Sequence, residues 1–366
     1  MAAGAKGANG AKKNVGLLFG GRSAEHEVSL QSAKNIFEAV DRERFEPLPI
    51  GIDKTGRWLF YENSNFLLDP DDPKKIRLSP HGKSVAIFPE TGRLLRGAGV
   101  FLDAVFPVLH GPFGEDGTLQ GLLKLAGIPF VGPSVLGSAA AMDKDVMKRL
   151  ARDAGIPTAK FLTLKKHGSL PSFSEITGLL GCPFFLKPAN MGSSVGVSKV
   201  YDEAGYVAAA DAAFQYDVKL LAEEFIAGRE LECAVLGNEE PAASVVGEVI
   251  PLHDFYSYDA KYLDEAGAQL KIPAAIDRET ADRVKVMAVK VFQTLCCEGL
   301  SRIDFFLKED GQVIVNELNT MPGFTAISMY PKLWEASGLS YTDLITRLIE
   351  LAISRFESEK PLKTSL

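Results

Sequence analysis

The sequence predicts an α/β protein with an N-terminal doubly wound α/β domain followed by two α+β units. Three observations carry this reading. The chain opens on a buried-strand run ending in paired glycines, "KNVGLLFGG" at 13–21, followed by the helix-like "EHEVSLQSAKNIFEAV" at 25–40. A βα opening of this kind begins a doubly wound sheet. Strand-like and helix-like runs then alternate with no internal repeat, and "SRIDFFLKEDGQVIVNELN" at 301–319 sets two alternating runs around Asp310–Gly311. That dipeptide is a strong signal for a two-residue hairpin turn.

The elements follow in order. Residues 51–99 hold hairpin-like pieces marked by "DKTGR" and "PETGR", expected to serve subunit contacts rather than chemistry. "VFLDAVFPVLHG" (100–111) reads as a strand, and "TLQGLLKLAGIPFVG" (118–132) as a helix closing on glycine and then a strand. These complete a first domain, 14–137, behind a flexible tail, 1–13. The second unit, 138–226, runs through the helix 143–155, the strand "AKFLTL", the helix "SFSEITGLLG", the strands "CPFFLKPA" and "VGVSKV", a helix near 202–216 and the strand "KLLAEEFI". The third, 227–366, has strands "RELECAVLG" and "AASVVGEVIP" and a polar stretch, 253–272. The helix 277–295 follows, apolar at Ala281, Val284, Ala288, Val291, Phe292 and Leu295, then the hairpin and a terminal helix near 341–356.

Composition narrows the class of function. A chain of 366 residues, 46% hydrophobic, has enough apolar mass for two or three cores. A net charge of −7, with no basic cluster larger than a lysine pair such as Lys12–Lys13, argues against nucleic acid. No apolar run reaches the roughly 18 residues that a membrane span needs, and the tail lacks the apolar core of a signal peptide. Cys182, Cys233, Cys296 and Cys297 show no metal-ligand spacing and read as reduced residues of a cytoplasmic protein.

The 301–319 hairpin concentrates charge. A two-residue turn at Asp310–Gly311 pairs Asp304 with Glu317 and Arg302 with Asn319, all on one face that Phe306 and Val313 continue. Opposed carboxylates repel. Either they sit on a solvated edge, or they hold a cation, and Mg²⁺ prefers such a set of carboxylate and amide oxygens together with substrate phosphates. In "LKPANMGSSVGVSKV" (186–200) a lysine precedes the small residues, the reverse of the P-loop order. The stretch is an ordinary hairpin turn or a flap that closes backbone N–H groups over phosphates. Lys187, near the end of an apolar strand, needs an anionic partner. Lys144 in "MDKDVMKR" reads from the residues alone as a helix-surface lysine. "DFYSYDAKYLDEAGAQL" is a lid or an exposed loop. "TMPGFTAIS" (320–328) either aims N–H groups at an anion or merely connects elements. "FGGRSAEH" is no dinucleotide fingerprint, since its glycines are adjacent.

Taken in order, "GGRSAEHEVSL", "HGPFGEDGTLQG", "MDK", "KPANMGSSVGVSKV", "EEFIAGRE", "YDAKY", "SRIDFFL" and "NELNTMPGFTAIS" resemble the ATP-grasp enzymes. Within them the chain is similar to the D-alanine–D-alanine ligase family, from about residue 14 to 356. The resemblance implies an ATP-grasp fold in which two α+β domains sandwich ATP. It implies ligation of two D-alanines through a D-alanyl phosphate, for peptidoglycan precursors. Lys144 and Lys187 would contact the ATP phosphates, with Ser193 and Ser194 closing above. Glu223 and Glu224, with Phe225 and Ile226, would form the hinge strand at adenine; Glu230 would bind ribose and Phe306 would line the nucleotide site. Asp304, Glu317 and Asn319 would hold two Mg²⁺, with Mn²⁺ as a substitute. Glu25 would take the ammonium of the first D-alanine, with His110 close to its carboxylate. Glu25, Ser193 and Tyr262 would form a network, Lys261 would reach the transferred phosphate, and Arg302 and the Gly323 N–H would stabilise the oxyanion. Ser328 and the Met329 N–H would receive the second carboxylate. A homodimer is expected. The rivals are a D-alanine–D-lactate ligase, against which Tyr262 argues, another ATP-grasp ligase, and a non-catalytic ATP-binding regulator.

Overall fold

A computed structural model of the chain describes residues 12–62, 64–88, 94–96, 99–251, 268–360 and 362–363. The N-terminal part holds β1 (Lys13–Gly20), α1 (His26–Ala39), β2 (Phe45–Ile52), β3 (Trp58–Phe60), β4 (Leu67–Leu68), β5 (Arg77–Leu78), β6 (Lys83–Ser84), β7 (Ala86–Phe88), β8 (Leu94–Arg96), β9 (Val100–Phe101) and β10 (Ala104–Val108). Their main sheet has the order β10-β1-β2-β3-β6. β1 lies between two parallel partners, which is why its last six residues are all buried and the strand reads as one apolar run. The expected strand 100–111 is two strands, because Asp103 breaks it to accept the N–H of Asn14 at 2.9 Å. α2 (Thr118–Leu125) forms as expected, but the run after it makes only one bridge, Val105 to Phe130. α3 (Val135–Met142) was not foreseen, and the expected boundary at 137 falls inside it.

The central part packs α4 (Lys144–Asp153), α5 (Phe173–Leu180) and α6 (Glu203–Ala213) with β11 (Phe161–Lys165), β12 (Phe184–Pro188), β13 (Ser198–Val200) and β14 (Lys219–Glu224), an antiparallel sheet of order β11-β14-β12-β13. Ile176, Phe184, Leu186, Ala213, Leu220 and Ala222 form its core. Asp143 caps α4 by accepting from Asp145 and Val146 N–H, and Ser172 with Glu175 makes a reciprocal capping box on α5. β14 ends at Glu224, so Phe225 and Ile226 lie past the strand.

The C-terminal sheet takes β15 (Arg229–Gly237), β16 (Ala242–Pro251), β17 (Ala268–Lys271), β18 (Gly299–Leu307) and β19 (Val313–Asn319) in the order β17-β16-β15-β18-β19. α7 (Arg278–Thr294) buries Val284, Ala288, Val291 and Phe292 against it, as its periodicity required. α8 (Met329–Ala336) and α9 (Tyr341–Glu359) follow. Two seams fix the parts around a cleft. Val315 N–H donates to Pro157 O at 2.9 Å, and the buried Arg355 donates to Gly132 O at 2.6 Å and Phe130 O at 2.9 Å while pairing with Glu298 at 3.1 Å.

The β18–β19 register corrects the turn. The loop has three residues, closed by Lys308 N–H donating to Gln312 O at 3.0 Å, and Phe306 pairs with Ile314 rather than with Val315, its partner under a two-residue turn. A bulge after Asp304 then inserts one residue on β19, and Asp304 meets Glu317 and Arg302 meets Asn319. Two one-residue offsets cancel at the charged end. Val313 instead joins the core between α7 and the sheet.

Candidate functional site

A cavity of about 510 Å³ opens between the three parts. It is lined by Glu25, His110, Ser193, Glu230, Arg302, Asp304, Phe306, Glu317, Asn319, Gly323, Ser328 and Met329. Residues scattered over three hundred positions thus meet at one place.

The hairpin supplies one wall. Arg302 forks onto Asp304, Nε to Oδ1 at 2.7 Å and Nη2 to Oδ2 at 2.8 Å, and lies 2.9 Å from Glu232. Asn319 Nδ2 donates to Asp304 Oδ2 at 3.0 Å. The solvated-edge alternative does not hold, since the Asp304 and Glu317 side chains are only 15% and 26% exposed and face the cavity. The bulge turns Asn316 to the same face, an amide that the regular register hid. Two carboxylates with two amides suit a hard divalent cation that also binds substrate oxygens. Arg302 pairs with Asp304 at 2.7 Å and Lys144 lies 3.4 Å from Glu317.

The central part supplies the opposite character. Lys144 is no surface lysine: its Nζ donates to Met191 O in the flap at 2.8 Å and lies 3.4 Å from Glu317, because the capped start of α4 lies beneath the flap. Lys187 Nζ donates to Glu223 Oε1 at 2.7 Å. Lys148, one turn beyond Lys144, places its ammonium 2.6 Å from Glu223 Oε2 with its side chain fully buried. Burial pushes the Glu223 carboxyl up, but Lys148 and Lys187 outweigh it and hold it below the usual range. Burial lowers the Lys148 ammonium in turn. The sequence reading missed Lys148, although its i,i+4 spacing from Lys144 was the available signal. Glu223 itself, expected at adenine, has both oxygens taken by lysines. The Glu224 side chain points to the other face of β14 from Glu223 and accepts from Lys160 N–H at 2.7 Å. Phe225 is 41% exposed and carries the Lys199 ammonium 4.0 Å over its ring.

The flap crosses between the walls. Ser193 and Ser194 hold φ of 51° and 60°, a region rare for residues with a side chain and concentrated at functional sites. Ser193 Oγ donates to Glu25 Oε1, so the flap and the N-terminal part are in contact. Tyr262 and Lys261 lie outside the described residues. His110 meets Met321 O through Nδ1 at 2.9 Å, while Glu115 accepts from Met321 N–H at 2.9 Å, Thr320 Oγ at 3.2 Å and Gly111 N–H at 2.7 Å. Burial first, and the Glu25 charge second, raise the Glu115 carboxyl. Glu115 is a second residue missed; only its place in "HGPFGEDG" marked it. At Gly323 a Cβ would lie 2.7 Å from Ser328 Oγ, so a side chain there would displace that hydroxyl. Ser328 sits at the N-cap of α8, but its hydroxyl accepts from Thr325 N–H at 2.9 Å and does not cap the helix. The positive end of α8 therefore faces the cavity at Met329 without a side-chain cap, an arrangement suited to a carboxylate.

Comparison with known proteins agrees with this geometry. Family models described as "D-ala D-ala ligase N-terminus" and "D-ala D-ala ligase C-terminus" match residues 14–133 and 150–350. The chain is 56% identical to D-alanine–D-alanine ligase of Shouchella clausii over 363 residues, covering 97% of this chain and 99% of that one. It is 53% identical to D-alanine–D-alanine ligase A of Escherichia coli K12 over 368 residues, covering 97% and 100%. Among solved structures, the D-alanine–D-alanine ligase of Coxiella burnetii superposes with a TM-score of 0.85 at 36% identity, covering 96% and 97%, and a D-Ala:D-Ser ligase of Enterococcus faecalis with 0.82 at 38%, covering 93% and 99%. Two family models and relatives above 50% identity thus match the chain along nearly its whole length, and the protein belongs to the D-alanine–D-alanine ligase family.

Proposed function

We propose that the chain joins two D-alanines into D-alanyl-D-alanine at the expense of ATP, a step in making peptidoglycan precursors. The observation that carries this reading is the meeting, in one cavity, of an opposed acid pair, a carboxylate at Glu25, the Arg302 guanidinium and the α8 N-terminus, with the lysines beside it. The dipeptide reading is favoured over the depsipeptide and regulator alternatives by relatives of 53–56% identity that carry the dipeptide ligase name.

A carboxylate is a poor electrophile at neutral pH because its oxygen leaves badly. Glu25 anchors the ammonium of the first D-alanine so that a carboxylate oxygen faces the γ-phosphorus of ATP. That oxygen forms the new O–P bond, the β–γ bridging bond breaks, and ADP leaves. Lys144 and Lys187 neutralise charge spreading over the phosphoryl oxygens. Asp304, Glu317 and Asn319, with Asn316 alongside, would hold Mg²⁺ or Mn²⁺, which supplies further neutralisation of phosphate charge when bound. The neutral amine of the second D-alanine then attacks the acyl carbon; the C–N bond forms, the C–O bond to phosphate breaks, and the proton shed by the nitrogen leaves with the phosphate. Arg302 and the Gly323 N–H stabilise the oxyanion of the tetrahedral adduct. Ser328 and the Met329 N–H seat the acceptor carboxylate. His110 and Glu115 hold Met321 from its carbonyl and its N–H, which fixes the loop that carries Gly323. The flap, with Ser193 on Glu25, excludes water from the acyl phosphate.

The same reading makes the protein a cytoplasmic homodimer with neither nucleic-acid nor membrane partners. No described helix is long and apolar enough to cross a membrane, and exposed Leu125 and Leu136 on α2 and α3 are candidates for the subunit contact. The test is ADP release with MgATP and D-alanine, with mass analysis of the product and D-lactate and D-serine as competitors. D-Alanyl-D-alanine as the main product is expected. Folded protein that binds ATP yet releases no D-alanine-dependent ADP would overturn the substrate assignment.

A further inference from the structure

Lys148 has no part in the chemistry set out above, yet it is the most deeply buried charge beside it. Its side chain is 0% exposed, that of Glu223 5% and that of Lys187 10%. Glu223 thus holds two ammonium groups, one on each oxygen, at 2.6 and 2.7 Å, and they differ in access. Lys148 projects from α4 into the packed interface with β14, whereas Lys187 stands on β12 at the start of the flap. A buried carboxylate stripped of its only partner is strongly unfavourable. If Lys187 were that only partner, its departure to a phosphate would leave Glu223 uncompensated, and phosphate and Glu223 would compete for one cation.

We propose that Lys148 is a positioning residue for the nucleotide site, a permanent counter-ion that keeps Glu223 paired and thereby frees Lys187 to engage the phosphates of ATP. The inference rests on the reading of Lys187 as a phosphate contact. It separates two lysines that look alike in charge: Lys187 touches the nucleotide, and Lys148 acts only through Glu223. The arrangement also accounts for the position of Lys148. Along α4 it follows Lys144 by one turn, so the same helical face delivers one lysine to the flap and one to Glu223.

The test is a double-mutant cycle on the full-length protein, read as the Kd of MgATP by calorimetry. Lys148→Met should weaken ATP roughly tenfold, about what the loss of one charge-assisted contact produces, because Lys187 is then held by Glu223 alone. In the Glu223→Gln background the same change should cost less than about twofold, since nothing there detains Lys187. A packing role for Lys148 would instead cost equally in both backgrounds and would overturn the proposal, as would Lys148→Met binding ATP like the wild type. Should Lys148→Met fail to fold, Lys148→Arg carries the test: it keeps the charge and should hold ATP within about threefold, whereas a tenfold loss would contradict the charge argument. Lys187→Met is the control. If it binds ATP normally, the phosphate reading of Lys187 fails; if it alone loses ATP while Lys148→Met does not, only the present inference fails.

Discussion

The central sheet and the C-terminal hairpin face one cleft with opposite charge balances. In the central part Lys148 and Lys187 gather around the carboxylate of Glu223, with burial nearly complete, and Lys144 lies one turn before Lys148 beneath the flap. On the hairpin, Glu232, Asp304 and Glu317 gather around Arg302, with Lys144 reaching across to Glu317. One wall has cations to spare and the other has anions to spare. The difference teaches how one cleft can hold two opposite charge surpluses in a folded chain. Each surplus is held by a smaller number of opposite charges, and Lys144 to Glu317 at 3.4 Å is the contact between the two walls. Under the proposed function, a polyanion would answer the cationic wall and a divalent cation the anionic one.

Removing an acid from the anionic wall should have the largest effect. Glu317→Gln is expected to lower ADP formation at least about 1000-fold, as the loss of several kcal/mol of charge neutralisation implies, with the circular dichroism spectrum unchanged. Substantial turnover would remove Glu317 from the metal-holding set. Next comes Arg302→Met, which leaves the acids but takes away an oxyanion donor. Steady-state kinetics should show kcat reduced roughly 100- to 1000-fold with ATP binding largely kept, and a pure KM effect would contradict that role. A smaller loss is expected at the junction of the two D-alanine positions. In Gly323→Ala the new methyl would press on Ser328 Oγ from 2.7 Å, so the KM for the acceptor D-alanine should rise about tenfold or more while the ATP Kd is constant; an unaltered acceptor KM would show that Ser328 does not seat the acceptor.

The smallest effect concerns pH and the cationic wall. Glu223 is held below the ordinary 4.5 by its two lysines. A carboxyl depressed in the folded state contributes stability above its unfolded value and loses that contribution as pH falls through its folded value. Thermal melts should therefore show Glu223→Gln less stable than wild type at pH 7, with the gap closing on acidification below about pH 4.5. A gap that widened in acid would mean that Glu223 is not the charged partner of Lys148 and Lys187.

Much of this was legible in the sequence because it depends on local pattern. The βα opening, the helix 278–294 and the carboxylate pairing all follow from periodicity and turn residues. The pairing came out right although the turn did not: the three-residue loop at 309–311 and the bulge at Asn316 displace the register in opposite senses. Nothing in a periodicity of two announces a bulge, so Asn316 stayed hidden and Val313 was placed on the wrong face. Lys148 and Glu115 escaped for another reason. Whether a helical lysine or a loop acid is buried depends on what packs over it, here β14 and the Thr320–Met321 segment, and those contacts join residues 75 and about 205 positions apart. Glu223 and Glu224 are alike in the sequence, yet the strand sends their side chains to opposite faces, one to the lysines and one to Lys160 N–H.

The division of labour between the walls can be measured directly by titrating MgATP and metal-free ATP into wild type, Glu317→Gln and Lys187→Met and comparing the gain in affinity that Mg²⁺ confers. The account predicts that Glu317→Gln loses most of that gain while keeping its metal-free affinity, and that Lys187→Met weakens both titrations while keeping the gain. Equal loss of the Mg²⁺ gain in both variants, or none in Glu317→Gln, would contradict the separation of an anionic metal wall from a cationic phosphate wall.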